Sequence, residues 1–97
     1  MIIVHDIFVC KPGNASKMAK LFKEVMADNK DLVHILTDAT GQYNRVIMVS
    51  QYEDLTAYQK SMEGMMNPTE EQKKQFVKME GYTDMYLTGS REIYKVI

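Results

Sequence analysis

The N-terminal half of the chain alternates between strand-like and helix-like segments, and this order restricts the possible folds more than any other feature. Residues Ile2 to Cys10 are rich in Ile, Val and Phe, which suit a β-strand. The Lys11-Pro12-Gly13 sequence should end this strand, because proline cannot donate a backbone hydrogen bond and glycine permits a tight turn. The sequence therefore predicts a strand followed directly by a turn.

An amphipathic helix is predicted next, from about Ala15 to Asp28. Apolar residues recur there at spacings of three and four; they are Met18, Leu21, Phe22, Val25 and Met26. The lysines of this segment lie largely off the apolar stripe. Asn14 is the expected N-cap, with its side chain accepting from backbone N–H groups of the first turn.

Two further strands are predicted at Leu32 to Ala39 and Arg45 to Tyr52. Gly41 and Asn44 lie between them, and both residue types tolerate the positive φ angles that a compact hairpin needs. The sequence therefore predicts a hairpin made by the second and third strands.

The C-terminal half continues the pattern with helices and a last strand. Asp54 is the expected cap of a helix that reaches Met66, and Thr69 of a short helix after Pro68. The segment from Asp84 to Ile97 is predicted to be a strand, bent or bulged near Gly89. The order β-α-β-β-α-(α)-β predicts one α+β domain over residues 1–97, with a ferredoxin-like antiparallel sheet and helices on one face.

Apolar residues occupy both faces of the central strands. In the third strand, Val46 and Met48 fall on one face while Ile47 and Val49 fall on the other. Helices on one side of the sheet would cover only one of these faces. Because the chain has no spare element for the second face, we predict a homodimer through sheet-to-sheet packing.

Composition excludes several classes of function. The 12 Lys and Arg nearly balance the 13 Asp and Glu, for a net charge of −1, and no basic stripe is present, so we expect no nucleic-acid partner. Cys10 is the only cysteine, which excludes an internal disulfide and favours a reducing compartment. Because the N-terminal run is too short and too interrupted for a signal peptide or a membrane span, we expect a cytoplasmic protein with no membrane partner.

Three segments carry a resemblance to a known superfamily. Residues Ile2 to Gly13 resemble the opening of dimeric α/β-barrel proteins of the antibiotic-biosynthesis-monooxygenase type. The stretch from Leu36 to Leu55 is similar to their second and third strands, and Gly89 to Val96 resembles the last strand of the NIPSNAP-like branch. The resemblance implies the dimeric barrel fold and a ligand pocket between the sheet and the helices of each subunit. It also implies a choice among cofactor-independent monooxygenases, isomerases, lyases and haem-degrading enzymes.

Asp6 and Arg91 are the candidate catalytic residues. Asp6 is expected on the helix-covered face of the first strand with Phe8, where a carboxylate must be paired or solvated. As a pocket residue it would act as acid or base, with Arg91 stabilising an anion. The alternative is a structural carboxylate, exposed at the end of the strand or paired with Arg45 or Arg91.

A flat, apolar or aromatic compound is the expected ligand. The candidate ligand-binding residues share bulky apolar or phenolic side chains; they are Phe8, Tyr52, Tyr58, Met62 and Tyr86. Thioether side chains adapt to irregular apolar ligands, but methionines and buried tyrosines also commonly serve only to fill a core. A non-catalytic ligand-binding or interaction module is therefore the alternative to a monooxygenase or isomerase.

No cofactor or metal is predicted. In haem-degrading members of the superfamily the iron ligand is a histidine of the second main helix, and Asp54 to Met66 contains none, which leaves haem as the weaker alternative. His5 and Asp6 are adjacent in a strand and point to opposite faces, so they cannot share a metal ion. His34 and Asp38 share a face but lie roughly 13 Å apart by strand rise.

Overall fold

The computed structural model describes residues 1–40 and 43–97. Its elements in chain order are β1 (Ile2–Cys10), α1 (Ala15–Val25), β2 (Leu32–Thr37), β3 (Arg45–Tyr52), α2 (Leu55–Met66), α3 (Glu70–Val77), a 3₁₀ turn (Tyr82–Asp84) and β4 (Tyr86–Lys95). Within these residues no helix is both long enough and apolar enough to cross a bilayer.

The four strands form one antiparallel sheet in the order β2-β3-β1-β4. β1 pairs with β3 along one edge and with β4 along the other, so its side chains lie at the centre of both faces. The predicted ferredoxin-like α+β fold is confirmed.

Two of the three predicted helix caps are confirmed. The Asp54 carboxylate accepts from the backbone N–H of Ala57 at 2.8 Å, and Thr69 and Gln72 form a reciprocal capping box. The prediction for Asn14 is wrong in its chemistry. Asn14 occupies the N-cap position, but its helical backbone conformation leaves its side chain without a capping hydrogen bond.

Three elements are shorter than predicted. α1 stops at Val25 rather than Asp28, and β4 begins at Tyr86 because a 3₁₀ turn precedes it. β2 stops at Thr37, before Ala39, because the Asp38 side chain turns to bind the next strand. Its carboxylate accepts from the Arg45 backbone N–H at 3.2 Å and from Arg45 Nε at 3.1 Å.

The predicted turn residues have two outcomes. Asn44 has a φ of 65°, as expected for a residue in the left-handed region at the start of β3. Gly41, the other predicted turn residue, lies outside the described residues. The turn after β1 contains Gly13 with a φ of 83°, which glycine adopts without steric cost.

The predicted irregularity of the last strand is present but lies two residues before Gly89. Val9 pairs with Thr88 and Cys10 with Tyr86, so Leu87 is the extra residue of a bulge. Beyond the bulge, the Tyr86 side chain points to the helix-covered face. Gly89 itself pairs regularly with Phe8.

The core lies between the sheet and α1. Its fully buried members are Cys10, Met18, Phe22 and Val46, each at most 1% exposed. The Cys10 thiol is 3.4 Å from the Met18 sulfur. Burial raises the pKa of this thiol above its ordinary value, because the thiolate loses its hydration.

The alkylation rate of the Cys10 thiol should therefore distinguish the native protein from the denatured chain. In the native protein its alkylation by iodoacetamide should be slower by orders of magnitude than in the denatured chain.

The buried Cys10 thiol should also make stability depend on pH. The thiol's contribution to stability is complete below the unfolded-state pKa of about 8.5. It is lost as the pH rises from there through the raised native pKa, since the unfolded chain releases this proton first. Denaturant titrations at pH 7 and pH 10 measure this effect. The free energy of unfolding should fall less between the two pH values for Cys10→Ala than for the natural chain. An equal fall would contradict the raised pKa of the buried thiol.

Over residues 1–40 and 43–97, no helix packs on the second face of the sheet, here called the outer face. Ile3, Ile7 and Ile47 lie half-buried at its centre. Leu36 and Tyr94 lie toward its edges, 42% and 45% exposed. The His5 ring packs edge-on against the Tyr94 ring, with 5.0 Å between centroids. The apolar second face expected from the sequence is thus present, and what covers it stays a prediction.

Candidate functional site

A cavity of about 780 Å³ lies between the helix-covered face of the sheet and the helices α2 and α3. Most of its wall is apolar. Five methionines contribute to it: Met26, Met48, Met62, Met65 and Met79. Aromatic side chains complete the apolar wall: Phe8, Phe22, Tyr52, Tyr58, Phe76 and Tyr82. Unbranched thioethers beside aromatic rings suit a flat ligand of irregular outline.

A hydrogen-bonded polar cluster interrupts this apolar wall. Asp6 of β1 and Arg91 of β4 are directly opposite each other in the strand register, and both side chains therefore lie on the helix-covered face. The Asp6 carboxylate accepts a short hydrogen bond from Arg91 Nε. Arg91 Nη1 donates to the Tyr58 hydroxyl oxygen at 2.7 Å, which joins α2 to the edge strand.

The cluster is held in place by its neighbours. The Arg91 guanidinium carbon is 5.9 Å from the centre of the Tyr58 ring. The Tyr52 ring, 8% exposed, packs edge-on against Tyr58 with 5.2 Å between centroids. The hydrogen bond to Asp6, aided by the nearby negative charge, raises the pKa of Arg91, so the guanidinium stays cationic at every working pH.

The structure brings together six of the seven residues singled out from the sequence. Their side chains line the cavity: Asp6, Phe8, Tyr52, Tyr58, Met62 and Arg91. Tyr86 is not part of this wall. Its ring packs against Phe8, at 5.0 Å between centroids, and against Tyr82 in the core. Contact of any of the seven with a ligand stays a prediction.

Several residues that line the cavity were not predicted from the sequence. Ser50 shares its strand face with Met48 and Tyr52, so simple alternation could have found it. Lys73 and Glu80 reach the wall from α3 and the segment after it. No local pattern could have placed these two, because their position depends on how α3 packs across the sheet.

The cavity does not fit a haem held by histidine. His5 lies on the outer face and His34 pairs with Val49 in the sheet, and neither lines the cavity. Over residues 1–40 and 43–97 there is also no group of three His, Cys, Asp or Glu side chains close enough to hold a metal ion.

No protein-family profile and no curated protein sequence matches this chain. Solved structures do match it over its full length. A NIPSNAP-family protein from Agrobacterium tumefaciens superposes with a TM-score of 0.79 at 14% identity, over 97% of this chain and 90% of that one. A NIPSNAP-domain protein from Burkholderia xenovorans gives 0.78 at 11% identity, over 100% and 95%. The chain has the NIPSNAP-like fold.

This NIPSNAP-like fold extends to a second group. An antibiotic biosynthesis monooxygenase superposes with a TM-score of 0.61 at 11% identity, over 100% of this chain and 99% of that one. The resemblance noted in the sequence is thus confirmed at the level of the fold. Because one scaffold hosts unrelated sites, identities this low carry no activity across, and the function must be argued from the cavity.

Proposed function

We propose that the protein binds a flat, apolar or aromatic small molecule in the cavity between the sheet and helices α2 and α3. The observation that supports this most is the composition of the wall, in which methionines and aromatic rings surround the hydrogen-bonded cluster of Asp6, Tyr58 and Arg91. A mostly apolar pocket with a few converging polar groups is typical of small-molecule sites.

The apolar wall supplies part of the free energy of binding. A two-ring aromatic ligand that buries about 150–250 Å² of its surface gains about 4–6 kcal/mol from the hydrophobic effect. Association costs part of this gain. The polar cluster then has to supply the remainder and to select among ligands of similar shape.

Catalysis of proton transfer is the second candidate, favoured by the position of the Asp6 carboxylate in the cavity wall. Asp6 would take a proton from a carbon beside a carbonyl group while Arg91 stabilises the enolate oxygen. Return of that proton to a different carbon completes an isomerisation. Reaction of the same carbanion with dioxygen would give a monooxygenase, in which a methylene becomes a carbonyl and the second oxygen atom leaves as water. If no turnover occurs, the protein is a binding module.

We further propose that two copies pack their outer faces together in the cytoplasm. The half-buried isoleucines of that face support this assembly, since a contiguous apolar patch on a sheet favours burial by a partner. A cytoplasmic location agrees with a lone, buried Cys10.

A ligand screen by thermal shift tests the binding function, because a ligand of the native state raises the melting temperature by mass action. Two-ring aromatic compounds should raise it, and Met62→Trp should remove the effect by filling the cavity. Met66→Trp is the matched control, because Met66 lies on the same helix but is 81% exposed. Equal loss in both variants, or no shift with any compound, would contradict the proposal.

A further inference from the structure

We infer that the ligand carries an anionic oxygen, and that the Tyr58 hydroxyl and the terminal nitrogens of Arg91 select it. This inference rests on the proposed function and names the ligand class of the same cavity. It follows from the hydrogen bonds that these two side chains make and from those they leave open.

Some N–H groups of the Arg91 guanidinium have no hydrogen-bond partner among the described residues. A guanidinium group carries five N–H bonds and accepts none. In the described part of the chain, Nε donates to Asp6 and Nη1 donates once to Tyr58. One N–H on Nη1 and two on Nη2 therefore have no protein partner there. Because the Arg91 side chain lines the cavity and is 46% exposed, these donors can reach a bound molecule.

The Tyr58 hydroxyl is oriented by Arg91. Since the guanidinium cannot accept, Tyr58 Oη must be the acceptor of the 2.7 Å hydrogen bond, and its own hydrogen must point elsewhere. No described residue accepts that hydrogen. The contact with the Tyr52 ring fixes the position of the Tyr58 ring, so the hydroxyl is a preset donor in the cavity wall.

The charges of the cavity wall are compatible with an anionic ligand. The wall contains two acidic side chains, Asp6 and Glu80, and two basic ones, Lys73 and Arg91, so acidic and basic groups are equal in number. Asp6 is already engaged by Arg91, and Lys73 is 3.4 Å from Glu70. An ammonium group at the cluster would meet the spare donors of Arg91 and Tyr58 and would be repelled. A carboxylate or phenolate oxygen would accept from both.

Affinities of three probes with the same ring system test this inference. They are 2-naphthoate, 2-naphthol and 2-naphthylmethylammonium, measured by calorimetry at pH 7.5. The natural protein should bind 2-naphthoate at least about tenfold more tightly than the ammonium compound, as expected for one charge-assisted hydrogen bond. Because 2-naphthol is largely a neutral phenol at this pH, it should bind more weakly than 2-naphthoate, and equal or tighter binding of 2-naphthol would contradict the requirement for an anionic oxygen.

Variants assign the preference to the cluster. Tyr58→Phe should weaken 2-naphthoate binding about two- to tenfold, the effect of one hydrogen bond. Tyr94→Phe is the matched control and should change nothing, because its hydroxyl bonds Glu92 on the outer face. The double variant Asp6→Asn with Arg91→Gln removes both charges without leaving one unpaired, and it should abolish the preference between the probes.

The outcomes of these experiments distinguish a failure of the anionic-oxygen inference from a failure of the proposed ligand-binding function. Equal affinity for all three probes, with binding still blocked by Met62→Trp, would overturn the anionic-oxygen inference and leave the proposed function standing. Absence of binding by every probe would overturn both. Should the double variant fail to fold, the preference of the natural protein together with the Tyr58→Phe result decides.

Discussion

Replacement of Phe22 by alanine is expected to lower the free energy of unfolding by about 3–5 kcal/mol. Phe22 is 1% exposed on α1, and its ring centroid lies 5.2 Å from that of Phe8 and 6.5 Å from that of Tyr82. The truncated side chain would leave a void between helix and sheet that this close packing cannot collapse to fill. A domain of this size has a total stability of only about 5–15 kcal/mol, so the loss would be a large fraction of it.

Urea unfolding followed by circular dichroism measures this change. Tyr43→Ala is the control, because its side chain is 84% exposed and its loss should cost less than about 0.5 kcal/mol. Similar losses for the two variants would mean that Phe22 is not packed as described.

The second large effect is expected at the outer face, where Ile7→Asp should convert the proposed dimer into monomers. Ile7 lies on the central strand and pairs with Ile47 on β3 and Ser90 on β4. A carboxylate there would be buried in the proposed interface without a partner, which costs several kcal/mol. The dissociation constant should therefore rise by at least about a hundredfold.

Sedimentation equilibrium at micromolar concentration should give twice the 11.2 kDa chain mass for the natural protein and the chain mass for Ile7→Asp. Met66→Asp is the matched control, since Met66 is exposed on α2 and should stay dimeric on substitution. A natural protein that sediments as a monomer would exclude the outer face as a self-association surface.

The order of strands and helices was predictable because local chemistry determines it. Asn44 of the predicted hairpin, two of the three caps and the apolar periodicities agreed with the fold. Asn14 was the exception: asparagine at an N-cap usually bonds the helix, but its backbone conformation here directs the side chain away. Whether an N-cap side chain forms a hydrogen bond with its helix depends on a few dihedral angles that the residue type does not determine.

The candidate site was only partly predictable. Alternation placed Asp6 on the same face as Phe8, but its partner could have been Arg45 or Arg91. Only the register of β1 against β4 selects Arg91, and Arg45 is engaged by Asp38. Register follows from the packing of the whole sheet rather than from any one segment.

The bulge in β4 explains the outcome for Tyr86. The extra residue Leu87 turns Tyr86 onto the helix-covered face opposite Cys10, four positions along β1 from Asp6. That distance is roughly 13 Å along the strand, so the ring joins the core instead of the polar cluster. The sequence indicated an irregularity near Gly89 but could not give its position to within one residue, which decides the direction of each side chain.

The most direct test of the ligand cavity uses the nine methionines as reporters. With ¹³C-methyl-labelled methionine, titration of 2-naphthoate should shift the signals of the five that line the cavity: Met26, Met48, Met62, Met65 and Met79. The exposed Met1 and Met66 should not respond. Saturable shifts confined to the cavity set would support the account; shifts at Met1 and Met66 alone, or none at all, would contradict it.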